Sequence, residues 1–205
     1  MNEFDLKAQS WDDNPMHKER SVAIANGIIN STSLQHLMKG MEFGAGTAIL
    51  SFLLKDYFWK IVLIDSSEEM IRMTNDKIAA SGVKNMKTLL FDLEKEELNN
   101  EKFDIIYTQM ALHHVTNIEI LFDRFHQLLN PQGILFIADL YAEDGSFHGA
   151  DFNGHKGFDI AELSAILEKH HFSNISHYNC FTIKRKNENE TIKEYPVFLL
   201  TSKRN

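Results

Sequence analysis

The chain carries a glycine turn, Gly44-Ala45-Gly46, and an acidic residue, Asp65, that lies 19 positions beyond the second glycine. Glycines let the backbone turn tightly and approach a ligand, and a helix that begins after the turn presents free amides to a carboxylate or phosphate. In dinucleotide-binding folds, an acidic residue about 20 positions after such a turn binds ribose hydroxyls. Together the turn and Asp65 indicate a site for a ligand that contains adenosine.

Two common nucleotide motifs do not fit this turn. The dinucleotide fingerprint Gly-x-Gly-x-x-Gly needs a small residue at position 49, where this chain has Ile49. A phosphate-binding P-loop needs Gly-Lys-Ser/Thr after its turn, and no such tripeptide follows Gly46. The residues therefore disfavour a nicotinamide dinucleotide and ATP chemistry of the P-loop type.

The turn and Asp65 each follow a segment that is typical of a strand. Leu37–Phe43 leads into the turn, and Thr47–Lys55 has the pattern of the helix after it. Ile61–Ile64 is a continuous apolar run, as expected for a parallel strand that is buried on both faces. Polar residues at the ends of such strands meet at one edge of a sheet, where ligands bind in open α/β folds.

Further elements alternate along the chain after Asp65. Ser66 with Glu69 predicts a capping box at the start of a helix, and Gly82 predicts the end of that helix. The sequence predicts three more strands and two more helices: strands at Met86–Phe91, Phe103–Thr108 and Gly133–Ala138, and helices at Asn117–Leu129 and Phe158–His171. Strands that alternate with helices imply a parallel sheet.

The two ends of the chain have different patterns. Residues 1–30 form a predicted helical cover, since His17–Asn30 carries apolar residues at helical spacing. Ile175–Ile183 and Glu194–Thr201 are strand-like and are separated only by the charged stretch Lys184–Glu190, which predicts an antiparallel hairpin. We therefore predict one α/β domain over residues 1–205, with a Rossmann-like, doubly wound, mostly parallel sheet and a C-terminal antiparallel hairpin.

At these motifs the chain resembles the class I S-adenosylmethionine-dependent methyltransferases. Their first motif is an acidic residue, any residue, then Gly-x-Gly with a small residue two positions on, and it is matched by Glu42, Gly44, Gly46 and Ala48. The resemblance continues through later motifs at Asp65, Phe91-Asp92-Leu93, Phe103–Ile106, Ala111–His114 and Pro131-Gln132-Gly133. The start of the chain, with Trp11-Asp12, is similar to small-molecule methyltransferases of the ubiquinone/menaquinone-biosynthesis type.

The resemblance implies a set of residues that bind S-adenosylmethionine. The glycine turn would line the methionine part, Asp65 would bind the ribose, and Asp92 would meet the adenine amino group. Met70 and Leu93 would flank the base, and Gln109 would face the methionine amino group or the reaction centre. The full implied set is Glu42, Gly44, Ala45, Gly46, Asp65, Ser66, Met70, Asp92, Leu93 and Gln109.

The implied activity is transfer of a methyl group to a small-molecule acceptor by direct in-line displacement, without a covalent enzyme intermediate. Two alternatives remain open from the sequence. One is a noncatalytic domain that binds S-adenosylmethionine, and the other is an NAD-dependent oxidoreductase, which Ile49 opposes.

Candidate residues for the acceptor side lie in three separate parts of the chain. His113 and His114 follow the predicted fourth strand, where a neutral imidazole can accept a proton, although such a pair also packs or caps a loop. The long connection at 141–157 is expected to form a lid over the acceptor, and Trp11, His148 and His155 are the acceptor-side candidates. Because these residues lack a compact spacing such as H-x-x-x-H, the sequence predicts no metal site.

Composition narrows the partners and the location. The formal charge of −8 opposes binding to nucleic acid, and Glu188 and Glu190 dilute the basic run Lys184–Lys186, which is interpreted as the solvated end of the hairpin. The one cysteine and the polar segment Met1–Ser10 favour a reducing cytoplasm. No apolar stretch approaches the roughly 20 residues that a membrane span needs, so no integral membrane association is expected.

Overall fold

The computed structural model describes residue 5 and residues 8–149, 151–186 and 190–205. Its strands are β1 (Lys39–Phe43), β2 (Lys60–Asp65), β3 (Met86–Leu90), β4 (Phe103–Gln109), β5 (Leu129–Leu140), β6 (Phe172–Lys186) and β7 (Ile192–Arg204). Its α-helices are α1 (Pro15–Ser31), α2 (Ile49–Leu54), α3 (Glu68–Ser81), α4 (Ile118–Leu128) and α5 (Ile160–Lys169). Short 3₁₀ helices lie at Ala8–Asp13, Lys55–Tyr57 and Leu112–His114.

One sheet holds the seven strands of the described ranges in the order β3-β2-β1-β4-β5-β7-β6. β1 pairs in parallel with β2 on one side and with β4 on the other, so the strand order reverses there. The apolar run of β2 is buried along its whole centre, as a parallel strand between two helical layers requires. The predicted doubly wound, mostly parallel sheet is confirmed.

Helices cover both faces of this sheet. On one face Ile24 and Ile28 of α1 pack with Leu50 and Leu54 of α2 in one apolar cluster. On the other face the apolar side chains of α4 and α5 pack against β1, β4 and β5 in a second cluster. The predicted helical cover at 1–30 is α1 with the 3₁₀ helix before it, while residues 1–4, 6 and 7 lie outside the described part of the chain.

The C-terminal hairpin is antiparallel, as predicted, but its strands are longer than the apolar pattern indicated. β7 lies between β5 and β6, and Lys184 of β6 pairs directly with Glu194 of β7. Their Nζ and Oε1 atoms are 2.8 Å apart. A charged pair across the ladder extends both strands into the stretch that was predicted to be the hairpin's end. The rest of that predicted end, at 187–189, lies outside the described residues.

Two helix starts differ from the prediction. The cap of α3 is Ser67, whose Oγ accepts the N–H of Met70 at 3.2 Å, and not Ser66. The predicted Gly82 end of α3 is correct, with Gly82 in the left-handed region at φ 70°. α2 begins at Ile49 and not at Thr47, because Ala48 has a left-handed φ of 59° that extends the glycine turn.

The connection after β5 forms a loop whose ends meet. The backbone of Phe158 donates to the carbonyl of Leu140 at 2.9 Å, and Tyr141 forms a parallel bridge with Phe158. Gly157 makes this closure possible, since it has φ +70° and an added Cβ would lie 2.1 Å from the carbonyl oxygen of Tyr141. The described residues of the predicted lid, 141–149 and 151–157, lie in this loop and contain neither an α-helix nor a named strand.

We expect Gly157→Ala to lower the free energy of unfolding by about 2 to 4 kcal/mol, because the methyl group adds both left-handed strain and a backbone clash. Gly149→Ala is the matched control, since Gly149 also has positive φ but an added Cβ meets nothing within 4 Å. The control should lose only about 1 kcal/mol, the cost of the left-handed conformation. Urea unfolding of the two variants measures the difference, and equal losses would contradict the role of the clash.

Candidate functional site

A cavity of about 960 Å³ opens at the carboxyl ends of β1, β2 and β4, where the strand order reverses. Most of the residues that the sequence singled out line it: Trp11, Gly44, Ala45, Gly46, Asp65, Ser66, Met70, Asp92, Leu93, Gln109, His113, His114 and His148. Two do not line it, Glu42 and His155. The motifs therefore meet at one place although they are spread over most of the chain.

Asp65 connects the end of β2 to the glycine turn. Its Oδ2 accepts the backbone N–H of Gly46 at 2.7 Å, and its Oδ1 accepts the N–H of Ser67 at 2.8 Å. Burial raises the pKa of the Asp65 carboxyl above its ordinary value, and the backbone hydrogen bonds from Ser67, Gly46 and Ser66 oppose that rise. The carboxylate thus holds the turn in place at the edge of the cavity.

The glycine turn leaves backbone surface open to a ligand. Gly46 has φ +53°, and a Cβ added there meets only the Met70 sulfur, at 3.9 Å. Gly44 has φ +64°, and a Cβ added there would lie 2.4 Å from the Ala111 Cβ. The space beside Gly46 is empty, so a ligand can approach the backbone there. We call this part of the cavity, formed by the backbone of Gly44-Ala45-Gly46, the glycine cradle.

The far side of the cavity combines an acid with apolar surface. Asp92 accepts the N–H of Glu94 at 3.0 Å through Oδ1, and its Oδ2 lies 2.7 Å from Nζ of the exposed Lys95. Met70 and Leu93, which were predicted to flank a base, are buried and line the cavity. A carboxylate can accept from an amino group, and apolar side chains can contact the faces of a ring. This side of the cavity therefore suits a flat heterocycle that carries an amino group.

Glu42 lies beneath the turn and is 0% exposed. Its Oε2 accepts the Ser51 hydroxyl at 2.5 Å, and Ser51 is in turn 2.6 Å from the Tyr107 hydroxyl. Burial raises the pKa of Glu42 to about 8. Its Oε1 has no hydrogen-bond partner within the described part of the chain. Glu42 therefore supports the turn from the core and does not face the cavity.

The N-terminal segment closes the cavity over the glycine turn. Asp12 accepts the Thr47 hydroxyl at 2.5 Å and the Lys77 ammonium at 2.6 Å, and so fastens the 3₁₀ helix to the turn and to α3. The Trp11 carbonyl accepts from His17 Nδ1 at 2.9 Å. Gln109 at the end of β4 is joined to α1, since its Oε1 accepts the Ser21 hydroxyl at 3.0 Å.

Three histidines meet beside Asp139, the residue next to last in β5. His113 is buried, and its Nδ1 lies 2.6 Å from Asp139 Oδ1. Because the carboxylate accepts, Nδ1 carries the hydrogen, and in neutral His113 the opposite nitrogen, Nε2, is an acceptor. It lies 3.0 Å from His148 Nε2. His155 contributes only its backbone N–H, to the His113 carbonyl at 2.7 Å, while its ring packs against Phe158.

The three histidines His113, His114 and His148 lie close together, which their spacing in the sequence did not predict. One ligand nitrogen from each of His113, His114 and His148 lies within 4.8 Å of the others, as in a group that could hold a metal ion. The prediction of no metal ligands depended on spacing along the chain, which does not register residues brought together from two loops.

Two arginines that line the cavity were missed. Arg20 is 4% exposed, and Arg185 has its guanidinium 3.7 Å from the centre of the Phe147 ring while Nη1 donates to the Phe147 carbonyl at 2.5 Å. Lys184–Lys186 are exposed, as the interpretation of a solvated segment requires, but the longer β6 also carries Arg185 to the edge of the cavity, which that interpretation did not include. The sequence did contain a signal that Arg20 faces the core. Arg20 lies four positions before the buried Ile24, and residues four apart share one face of a helix.

Comparisons with known proteins identify the family and the fold of the chain. A family model described as "Methyltransferase domain" matches residues 16–184. An uncharacterized methyltransferase of Schizosaccharomyces pombe is 29% identical over 119 residues, 55% of this chain and 42% of that protein. A malonyl-[acyl-carrier protein] O-methyltransferase of Ilyobacter polytropus is 27% identical over 137 residues, 66% of this chain and 51% of that protein. This chain thus spans about half the length of these relatives.

A solved structure shares the fold. Phosphoethanolamine N-methyltransferase 2 of Haemonchus contortus, in complex with S-adenosyl-L-methionine, superposes with a TM-score of 0.70 at 11% identity, over 88% of this chain and 52% of that chain. Among the described residues, no helix combines the length and the apolar character that crossing a bilayer requires. Because the family model covers most of the chain, the protein belongs to the methyltransferase domain family, and its sheet has the Rossmann-like fold of that family.

Proposed function

We propose that the protein transfers the methyl group of S-adenosylmethionine to a small-molecule acceptor that binds on the histidine side of the cavity. One observation carries the proposal: a single cavity is lined by the open glycine cradle with Asp65 and also by His113, whose Nδ1 lies 2.6 Å from the buried Asp139. Its volume of about 960 Å³ lies at the upper end of the range for small-molecule sites. Cofactor and acceptor can therefore occupy adjoining parts of one space.

The residues present fit the cofactor. A carboxylate has about four lone-pair sites, and Asp65 accepts from the backbone amides of Gly46, Ser67 and Ser66, which leaves one for a ribose hydroxyl. The open side of Gly46 admits the methionine part, Asp92 can accept from an adenine amino group, and Met70 and Leu93 supply apolar contact for the base. Gln109, held by Ser21, and Ser66 complete the proposed set.

When bound, the cofactor would supply an electrophilic methyl group, whose carbon bonds to a nucleophilic atom of the acceptor in line as the carbon–sulfur bond breaks and S-adenosylhomocysteine leaves, with no covalent enzyme intermediate. The chain contributes chiefly by holding the two reactants close and aligned. Trp11 and the 3₁₀ helix around it exclude water on one side. We propose that the loop at 141–157, which carries His148, acts as the lid on the other side, within one domain over residues 1–205.

We propose His113 as the group that accepts a proton from the acceptor. Asp139 fixes its ring, so that Nε2 is the basic nitrogen of that ring, 3.0 Å from His148 Nε2. His114 and His148 then limit the space around this nitrogen.

We propose a proton-accepting role for the three histidines and not a metal-binding one. Arg20 and Arg185 line the same cavity, and the sulfonium of the cofactor adds a third positive charge. A divalent cation beside these groups would be repelled at short range in a partly desolvated site.

The acceptor is proposed to be a small molecule and not a nucleic acid, since the formal charge of −8 opposes phosphate backbones. The relatives named above act on different acceptors, so the fold alone does not identify the substrate. A cytoplasmic location, which the single cysteine favours, belongs to the same proposal.

We expect Asp65→Ala to weaken binding of S-adenosylhomocysteine by about 100-fold, because a hydrogen bond to a charged acceptor is lost and the Gly46 amide loses the carboxylate that holds the turn. Isothermal titration calorimetry measures this change. Asp56→Ala is the control, since Asp56 is exposed and lies outside the cavity. An unchanged affinity in Asp65→Ala would remove Asp65 from the cofactor site, and no binding by the folded native chain would overturn the proposed function.

We expect His113→Gln to lower kcat by about 100-fold or more with a screened acceptor, while the affinity for S-adenosylhomocysteine changes little. Asp139→Asn should lower kcat in the same direction, since the amide no longer fixes the ring. His36→Gln is the control, because His36 is exposed and does not line the cavity. Steady-state kinetics with calorimetry separates the two effects, and full activity in His113→Gln would exclude the proton-accepting role.

We expect dialysis against EDTA to leave kcat unchanged, because the proposed chemistry uses His113 as a base and not as a metal ligand. Metal content is measured by mass spectrometry before and after dialysis, alongside the rate. A loss of activity that added Zn²⁺ or Mn²⁺ restores would show that the three histidines hold an ion.

A further inference from the structure

The acceptor side of the cavity contains a buried guanidinium, Arg20, that forms no ion pair with any residue in the part of the chain that the structure describes. Arg20 is 4% exposed, and its Nη1 faces the Met16 sulfur at 3.9 Å, which is a weak acceptor. Its Nε has no hydrogen-bond partner among the residues that the structure describes. Burying a guanidinium is costly unless its charge is matched, so a cavity-lining arginine without an ion pair indicates an anionic ligand.

A second guanidinium lies within electrostatic reach. Arg185 lowers the pKa of Arg20, and both arginines lower the pKa of His17, so the three groups share one region of the cavity. Burial is the largest cause in both cases, and it brings the pKa of Arg20 to about 10. Arg20 therefore remains charged at neutral pH. Arg185 is held in place by the Phe147 ring and carbonyl.

The local charges indicate which anion fits. Arg20 and Arg185 carry two positive charges, and the buried Asp139 offsets one of them through its effect on Arg20. His17 is mainly neutral at neutral pH, since burial lowers its pKa below the ordinary value. With S-adenosylhomocysteine, which lacks the sulfonium charge, one positive charge is left, which a carboxylate neutralises and a phosphate dianion would exceed.

Arginine is also the side chain whose shape matches a carboxylate. Its planar donors bind two oxygens at once, and an arginine that rests on an aromatic ring loses little freedom when it does so. The acids of the cavity, Asp65, Asp92 and Glu94, lie on the proposed cofactor side. A carboxylate on the acceptor is therefore directed away from them and toward the arginines.

We propose that Arg20 and Arg185 form a carboxylate-binding subsite, so that the acceptor is a small carboxylic acid whose carboxylate is held apart from the atom that receives the methyl group. This inference rests on the proposed function, because it gives the substrate class of the same site.

The test uses the Arg20 Nε–H signal in ¹H–¹⁵N spectra of the full chain saturated with S-adenosylhomocysteine. Propionate is the probe, propionamide is its neutral match, and methyl phosphate is the alternative anion. We expect propionate to shift the Arg20 signal saturably and propionamide to leave it unchanged. At pH 8 methyl phosphate should bind more weakly than propionate.

Substitutions identify the arginines that are responsible. Arg185→Gln should weaken propionate binding about tenfold, because one charge-assisted hydrogen bond is lost, and the exposed position of Arg185 favours a folded variant. Arg20→Gln should abolish saturable binding, followed through neighbouring backbone amides. Arg72→Gln is the control, since Arg72 pairs with Glu69 and Asp76 on the surface of α3.

The outcomes separate this inference from the proposed function. If S-adenosylhomocysteine binds but no anion shifts the Arg20 signal, the carboxylate subsite is wrong and the methyltransferase proposal stands. Tighter binding of methyl phosphate than of propionate would show that the subsite binds a phosphate, and the proposed carboxylate would be wrong. Equal shifts with propionamide would show that charge does not direct binding there. Failure of S-adenosylhomocysteine itself to bind would overturn the proposed function first.

Discussion

The site depends on the carboxylate of Asp65, which joins three elements at one point. It accepts the Gly46 amide from the turn after β1 and the Ser67 amide at the start of α3, and it ends β2. The turn is held from its other side by Thr74 of α3, whose hydroxyl donates to the Gly46 carbonyl at 2.7 Å. Because the turn cannot move without breaking these bonds, the open face of Gly46 is fixed before any ligand arrives.

A second constraint is the division of charge within one cavity. Acidic groups gather at the ends of β2 and after β3, whereas Arg20 and Arg185 reach the cavity from α1 and β6. Asp139 acts on both parts of the cavity. It orients the His113 ring, and its charge opposes the lowering of the Arg20 pKa that burial causes. One buried carboxylate thus links the proposed base to the proposed acceptor subsite, and neutralising it would alter both.

The sequence predicted the sheet well because parallel strands buried on both faces are continuous apolar runs. β2 was found within one residue at each end by this pattern. The pattern was less useful where polar residues extend a strand, as in the Lys184–Glu194 pair, or where two adjacent serines compete for one cap, as at Ser66 and Ser67. Backbone dihedral angles and cross-strand partners decide those cases, and neither can be read from apolar periodicity.

The cofactor half of the site was predictable for a structural reason. Gly44, Asp65 and Asp92 come from consecutive strand ends within about 50 residues, so that one repeated pattern of strand, polar end and helix locates them all. The acceptor half is assembled from α1, the loop after β5, and β6, which are remote in sequence and share no pattern. Arg20 and Arg185 lie 165 positions apart and line the same cavity because α1 packs against β6. Evolution can therefore change the acceptor by altering these remote segments while the turn and Asp65 stay as they are.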